Sequence, residues 1–218
     1  KKTISISHID KSRGQKVVED ILGKSYAGVL ISDFLSAYNK LDSDKQRCLA
    51  HIFRDLDKVI EYWRDDKEVI NYCDRLIKIL RDAIDLYAEY KTKKRDNVYC
   101  RRRKAISNAL KDFSFPNPNK RILKRFAKRL KRHKDEMLTF LYKKDIDYHN
   151  NHAERQIRPD VIFRKITYGN RSMEGAQNHS VIMSILQTAK LNGIDPLTAL
   201  ENILLRSPQN PLAKAFSP

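Results

Sequence analysis

The amino-acid sequence predicts an α/β protein that is predominantly helical, with strands near its beginning and helices through the rest. Glycine and proline are scarce, at 6 and 7 of 218 residues, which favours long helices over tight turns. Apolar and polar residues alternate only near the N-terminus, whereas apolar residues recur at helical spacing from Asp57 onward. An apolar fraction of 41% is sufficient to build a core.

The early elements are expected to be strands joined by short helices. The segment TISISHI at residues 3–9 alternates apolar and polar side chains, which is typical of a strand. GVLIS at residues 28–32 is a short apolar run that fits a buried strand, and Asp33 follows it directly. The other early predictions are a helix at Gln15–Leu22 ended by Gly23, a helix at residues 34–41, and a short strand at residues 46–50 that leads into a helix containing His51.

Helical spacing dominates the remainder of the chain. A long helix is predicted from residue 57 to about residue 91, with Cys73 on its core face and Trp63 as a packing residue. The sequence Asn192–Gly193 is a stop signal, and Asp195–Pro196 a start signal. Further helices are predicted at residues 98–113, 120–134, 150–164, 174–191 and 196–205.

The charge of the chain is concentrated in one stretch. The formal net charge is +17, and residues 91–134 alone hold 18 basic and 2 acidic residues. Residues 120–134 (KRILKRFAKRLKRHK) contain nine Lys or Arg and no acid, with an apolar stripe formed by Ile122, Leu123, Phe126, Ala127 and Leu130. A merely solvated helix face usually mixes both signs, because like charges one turn apart repel. We therefore favour a surface that contacts nucleic-acid phosphates.

Several protein classes do not fit this sequence. No apolar run reaches the roughly 18 residues that a membrane span requires, and no secretory signal precedes the first element. Three widely spaced cysteines argue against a disulfide framework and suit a reducing cytosol. The chain starts at Lys1 and its first methionine is Met137, so we expect it to be a piece of a longer protein.

Two carboxylates are candidates for catalysis. Asp33 directly follows a predicted buried strand, where a sheet fixes the position of a side chain; on local evidence it is equally well a helix N-cap. Glu154 lies in NNHAERQIRP near the start of a predicted helix, flanked by Arg155 and Arg158. Taken alone, Glu154 is better explained by a surface ion pair.

Metal-binding patterns of histidine and cysteine are weak. Cys48 and His51 form a single Cys-x-x-His pair, and no second pair stands at the spacing that a four-ligand zinc site needs. His149 and His152 are three residues apart and could ligate a metal, but solvent-facing histidines are the simpler interpretation. We therefore do not predict zinc.

The order of these motifs resembles the transposases of the insertion sequence 66 family, a bacterial family with an Asp-Asp-Glu catalytic triad. The resemblance runs through nearly the whole chain, from GVLISDFLSAY and RCLAHIFRDL to NNHAERQIRP, FRKITYGNRS and TAKLNGIDPLTAL. Leu49 departs from the pattern, because the family often has Trp beside the cysteine, but this difference leaves the match intact. The last three motifs are long and specific.

The resemblance implies a ribonuclease H-like core in which two Asp and one Glu hold paired Mg²⁺ (or Mn²⁺) ions. It assigns the second Asp to Asp33 and the Glu to Glu154, with Cys48 and His51 as a supporting motif. Carboxylate ligands suit Mg²⁺ better than histidines do. The residues expected to contact DNA are Arg155, Arg158, Arg164 and Lys165 beside Glu154, and Lys120, Arg121, Lys124, Arg125, Lys128, Arg129, Lys131 and Arg132 on the basic helix.

The implied organisation has three parts. Residues 1–54 are a partial ribonuclease H-like core with Asp33, residues 55–147 a helical insertion with a basic DNA-binding surface, and residues 148–218 the C-terminal core helices with Glu154. The family's first Asp lies upstream of the matched region, and Asp10 does not replace it. We therefore expect the core to lack its first strands and this chain alone to be unable to cut DNA.

Three functions compete at this point. The first is a DNA transposase that cuts transposon ends and transfers strands into target DNA, assembling as a homo-oligomer on DNA with no membrane partner. The second is a non-catalytic helical module that binds nucleic acid through residues 91–134. The third is a related metal nuclease without strand transfer. The joint presence of Asp33 and Glu154 favours the first.

Overall fold

The computed structural model describes residues 3–113 and 121–206 of the protein. The chain divides into two compact units, one formed by Gly14–Asn150 and the other by Lys1–Arg13 with Asn151–Pro218. Helices predominate in both units, which confirms the predicted helical character. Within the described residues, no helix is long and apolar enough to cross a membrane.

The first unit opens with a short helix and a pair of parallel strands. Helix α1 (Gln15–Leu22) has the predicted bounds, and Gly23 follows it with φ of +78°, a backbone conformation that favours glycine. Strand β1 (Ser25–Ser32) then pairs in parallel with β2 (Asp42–Arg47), in a register that reaches Ser32 opposite Arg47. Parallel pairing brings the carboxyl ends of both strands to the same edge.

Two predictions for the first unit are wrong. Residues 34–41 form only a 3-10 turn at Ser36–Tyr38, because the Asp33 carboxylate accepts the Leu35 amide and fixes a local turn. Residues 46–50 are not a strand of their own. The strand β2 is shifted towards the N-terminus and is strongly polar, so apolar alternation does not reveal it, and the next helix begins at Leu49.

The described part of this unit contains five more helices. They are α2 (Leu49–Tyr62), α3 (Lys67–Glu89), α4 (Asn97–Asp112), α5 (Arg121–His133) and α6 (Thr139–Tyr142), with a 3-10 turn at Lys134–Met137. The single long helix predicted from residue 57 is wrong, since the chain breaks after Tyr62 and restarts where Asp66 caps α3 by accepting the Val69 amide. Asp96 caps α4 in the same way through the Tyr99 amide.

The core of the first unit lies between these helices. It is built from leucine, isoleucine and aromatic side chains of α2, α3, α4, α5 and α6. Cys73 is fully buried in it as predicted, and burial raises the pKa of its thiol to about 11. Trp63 packs against the same cluster, which confirms its structural role.

The second unit contains helices α7 (Asn151–Thr167), α8 (Met173–Leu191) and α9 (Pro196–Arg206). Ser172 caps α8 by accepting the Gly175 amide at 3.0 Å. Gly193 follows α8 with φ of +70°, which confirms the predicted stop signal.

Residues 3–9 do not form the predicted strand. Their backbone instead bonds to a row of polar side chains along α8, which we name the hydroxyl ladder. Its four rungs join Thr3 to Asn192, Ser5 to Thr188, Ser7 to Ser184, and Ile9 to Ser180, over 2.7 to 3.1 Å. Two residues of extended chain span about 6.6 Å and four residues of helix about 6.0 Å. These lengths are nearly equal, so every second residue of the segment meets every fourth residue along α8.

The hydroxyl ladder predicts how Ser184→Ala changes the N-terminal segment. The substitution removes the acceptor of the Ser7 amide, and a lost hydrogen bond worth about 1 kcal/mol should speed exchange of that amide about fivefold. Hydrogen exchange of residues 3–9 measures the effect. Gln177→Ala, an exposed position on α8, serves as the control. Equal exchange in both variants would contradict the ladder.

Candidate functional site

Asp33 stands at the carboxyl end of β1 and is half-buried. Its Oδ1 accepts the Leu35 amide at 2.9 Å. An ionised carboxylate offers about four lone-pair positions, so a single bond from the backbone leaves room for a metal ion. Asp33 thus fixes a local turn rather than capping an α-helix, and its role as a metal ligand stays a prediction.

Arg47, at the end of β2, holds the backbone around Asp33. Its side chain is fully buried and donates from Nη1 to the Asp33 carbonyl oxygen at 2.8 Å and to Ser32 Oγ at 3.3 Å. Its Nη2 donates to Asn39 Oδ1 at 2.7 Å. The guanidinium of Arg47 thus donates hydrogen bonds to both the beginning and the end of the turn that follows β1.

Glu136 supplies the opposite charge for this buried cation. Its Oε2 accepts from Arg47 Nε at 2.5 Å and lies 2.9 Å from His133 Nδ1. Burial lowers the pKa of His133, and the nearby Arg47 acts in the same direction, although the bond to Glu136 opposes them. His133 ends the basic helix α5, so this network links that helix to the carboxyl edge of the sheet.

Neither Arg47 nor Glu136 was predicted from the sequence. Arg47 lies in a polar strand that gives no apolar signal, and its charged partner is 89 residues away in the chain. The sequence did place Arg47 directly before the Cys-x-x-His motif, at the end of the segment that leads into a helix. That position alone does not identify Glu136 as its partner.

Cys48 and His51 lie where β2 passes into α2. The Cys48 amide donates to the Ser32 carbonyl at 2.8 Å, which places Cys48 beside Asp33 at the same edge of the sheet. Its buried sulfur accepts the Asn150 amide at 3.4 Å. His51 lies in the first turn of α2, with its ring nitrogens 3.4 and 3.5 Å from Arg54 Nη2.

Glu154 belongs to the other unit, in the first turn of α7, and is half-buried. At 100° per residue, Glu154, Arg155, Arg158 and Lys165 fall within an arc of about 100°, whereas Arg164 lies on another face. All four basic residues are exposed.

The two histidines near Glu154 in the sequence lie in different units. His152 is exposed as predicted, while His149 lies in the first unit with its ring edge-on to Tyr148.

The basic helix α5 has a buried apolar face and an exposed cationic face. Phe126 and Leu130 are buried, which confirms part of the predicted apolar stripe. The exposed cations occupy an arc of about 120°; they are Lys124, Arg125, Lys128, Lys131 and Arg132. The predictions for Lys120 and for the side chains of Arg121, Ile122 and Leu123 lie outside the described residues.

Arg129 does not share that exposed arc. It is about one-third exposed and forms an ion pair with Asp55 of α2. Its guanidinium carbon lies 4.9 Å from the centre of the Phe34 ring and 5.3 Å from that of Phe126. These contacts turn Arg129 towards the protein and give it a packing role, and its contact with DNA stays a prediction.

Comparison with known proteins gives the family. The sequence profile described as "Transposase IS66 family" matches residues 1–178, which is most of the chain. The chain belongs to the IS66 family of transposases. No solved structure matches it significantly.

Two curated relatives match shorter stretches of this IS66-family chain, and both come from Sinorhizobium fredii. The uncharacterized protein y4qI is 39% identical over 70 residues, which are 32% of this chain and 13% of that protein. The uncharacterized protein y4jO is 35% identical over 72 residues, or 33% of this chain and 22% of that protein. The matched regions thus span less than a quarter of either relative.

Replacing Arg47 tests its role in holding the Asp33 turn of this IS66-family chain. Arg47→Met leaves Glu136 without its buried counter-ion and should lower the free energy of unfolding by about 3–5 kcal/mol. Arg47→Lys should lose most of the same stability, since an ammonium group cannot reach several acceptors in the guanidinium's planar geometry. Chemical denaturation measures both losses.

The control for this measurement is Arg64→Met, whose side chain is 82% exposed. It should change the unfolding free energy by less than about 0.5 kcal/mol. An Arg47→Met variant as stable as this control would show that the buried network does not hold the turn.

Proposed function

We propose that the chain is a catalytic part of a DNA transposase that uses Asp33 and Glu154 in Mg²⁺-dependent cleavage of transposon ends and strand transfer. The observation that carries the proposal is the family match across residues 1–178. It is supported by the position of Asp33 at the carboxyl end of a parallel strand pair. We propose a ribonuclease H-like arrangement for this core, in which residues 55–147 are an insertion.

The donor chemistry of the two candidate ligands suits magnesium. Aspartate and glutamate offer hard oxygen atoms, which Mg²⁺ prefers, and the Asp33 carboxylate makes one bond to the backbone. Bound divalent ions, Mg²⁺ or Mn²⁺, would activate the attacking oxygen and stabilise the leaving oxygen of a phosphodiester. Attack by water at the transposon end would yield a 3′-hydroxyl and a 5′-phosphate. The 3′-hydroxyl would then attack a target phosphodiester and displace its 3′-oxygen.

The residues of this chain would position the reactants. Arg47 fixes the turn that carries Asp33, and Cys48 ties the next strand end to Ser32 through its amide. Arg155, Arg158 and Lys165 share a helix face with Glu154, where they would hold phosphates by charge-assisted hydrogen bonds. Arg164 would contact DNA from its own face of α7.

DNA binding is assigned mainly to the exposed arc of α5. Among the side chains of this helix that the structure describes, five cations lie on one side, whereas Arg129 faces the protein and is paired with Asp55. Such an uncompensated cationic arc is most stable beside a polyanion, because the mutual repulsion of its charges is then relieved. Several copies of the chain would assemble on the transposon ends.

Reversing charge on α5 should weaken DNA binding in a salt-dependent way. The double variant Lys128→Glu, Lys131→Glu loses two phosphate contacts, so the slope of log K against log salt should fall in magnitude by about 2. Titration of a fluorescent duplex at several salt concentrations measures this slope. Lys78→Glu, an exposed position on α3, is the matched control and should leave the slope unchanged.

The catalytic assignment requires a separate test. Two carboxylates of the Asp-Asp-Glu triad are assigned here, so the 218-residue chain by itself should bind DNA without cutting it. When the chain is joined to a family segment that supplies the first Asp, Mg²⁺ should support cleavage of transposon-end DNA. Asp33→Asn and Glu154→Gln should each abolish this cleavage and leave duplex binding intact. Cleavage by the Glu154→Gln variant would overturn the assignment, and binding without any cleavage would favour the non-catalytic module.

A further inference from the structure

Tyr142 is a half-exposed aromatic residue with a guanidinium stacked against it. It ends helix α6, and its side chain is 50% exposed. The guanidinium carbon of Arg103, on α4, lies 4.2 Å from the centre of its ring. The Tyr142 hydroxyl and Ser107 Oγ share a hydrogen bond of 2.7 Å. Two contacts from α4 therefore fix the orientation of a ring that still presents half of its surface to solvent.

Arg103 is held in place by the protein core beneath it. Its guanidinium carbon also lies 5.9 Å from the ring centre of Tyr99, which is fully buried and donates its hydroxyl to the Leu141 carbonyl at 2.7 Å. The Nε of Arg103 is buried and has no hydrogen-bond partner among the described residues. The guanidinium is thus partly desolvated between two rings, where a cation–π contact is stronger than in water.

Two exposed cations lie near Tyr142 in the sequence or on the same helix face. They are Lys104, about 60° from Ser107 around α4, and Lys144, just after Tyr142. Lys143 pairs with Asp44 at 2.6 Å, so it is already neutralised. A flat aromatic surface beside exposed cations suits a ligand that is flat and apolar on its faces and carries negative charge nearby. A nucleotide within a nucleic-acid strand has both properties.

We propose that Tyr142, supported by Arg103, stacks an unpaired nucleobase of the bound DNA strand. The inference rests on the proposed DNA-binding function and adds a site to it. Base–aromatic stacking requires an exposed π-face, and a paired duplex does not offer its base faces to a protein side chain. The arc of α5 has no such face in its described part, because Phe126 is buried. Tyr142 therefore favours single-stranded DNA, whereas the cations of α5 bind the phosphates of single-stranded and duplex DNA alike.

The test compares single-stranded and duplex DNA with the 218-residue chain. Tyr142→Ala should weaken binding of a single-stranded oligothymidine by about 5- to 150-fold, which is the range of one lost stacking contact, and should leave binding of a fully paired duplex unchanged. Tyr142→Phe keeps the ring and should stay within about twofold of the parent. Tyr62→Ala removes a tyrosine of α2 that is 69% exposed and packs edge-on against Trp63, and it should change neither affinity.

Each other outcome has a definite meaning. If Tyr142→Ala weakens single-stranded and duplex binding equally, or weakens neither, the stacking site is wrong while DNA binding by α5 stands. If Tyr142→Phe is as weak as Tyr142→Ala, the hydroxyl rather than the ring is responsible, and stacking is again wrong. If the parent chain binds neither DNA, the proposed function and the stacking site both fail. Circular dichroism of each variant shows whether its helices remain folded.

Discussion

The buried guanidinium of Arg47 is the interaction on which the candidate catalytic edge depends. Taking a cation out of water is costly, and only a counter-ion with well-placed acceptors compensates for it. Glu136 provides the charge, while Ser32 Oγ, the Asp33 carbonyl and Asn39 Oδ1 provide the acceptors. Because these groups come from the end of β1, the turn after it and the segment after α5, the network can form only when all three are in place.

Two protein-facing cations at α5 and just beyond it have partners outside the Arg47 network. Arg129 is paired with Asp55, and Lys134, just beyond the helix, donates to the Lys111 carbonyl. The Arg129 guanidinium and the His133 ring both contact the Phe34 ring. The exposed cations on the opposite arc make no ion pair with the described residues, which leaves their charge available to a polyanion.

Local sequence signals located most of the helices and strand β1 but missed β2, for a physical reason. Helical stops act within one turn, so Gly23 and Gly193 lie where short-range rules place them. The strand β2 has a polar sequence, and its position depends on pairing with β1 and on buried contacts such as those of Gln46 with Met137 and Phe140. Asp33 and Glu154 could be proposed from motifs, but Arg47 and Glu136 could not, because their pairing is long-range.

Residues 3–9 show that an alternating pattern specifies a backbone geometry rather than a sheet. Any partner that offers hydrogen-bonding groups at a repeat near two extended residues can replace a neighbouring strand. A helix surface offers such a repeat every four residues when Ser180, Ser184 and Thr188 are spaced as they are on α8. The backbone amides gain partners without a strand, and Ile4 and Ile6 point away from them, at 72% and 74% exposed. The period of a sequence therefore constrains the conformation of a segment more firmly than it constrains the identity of its partner.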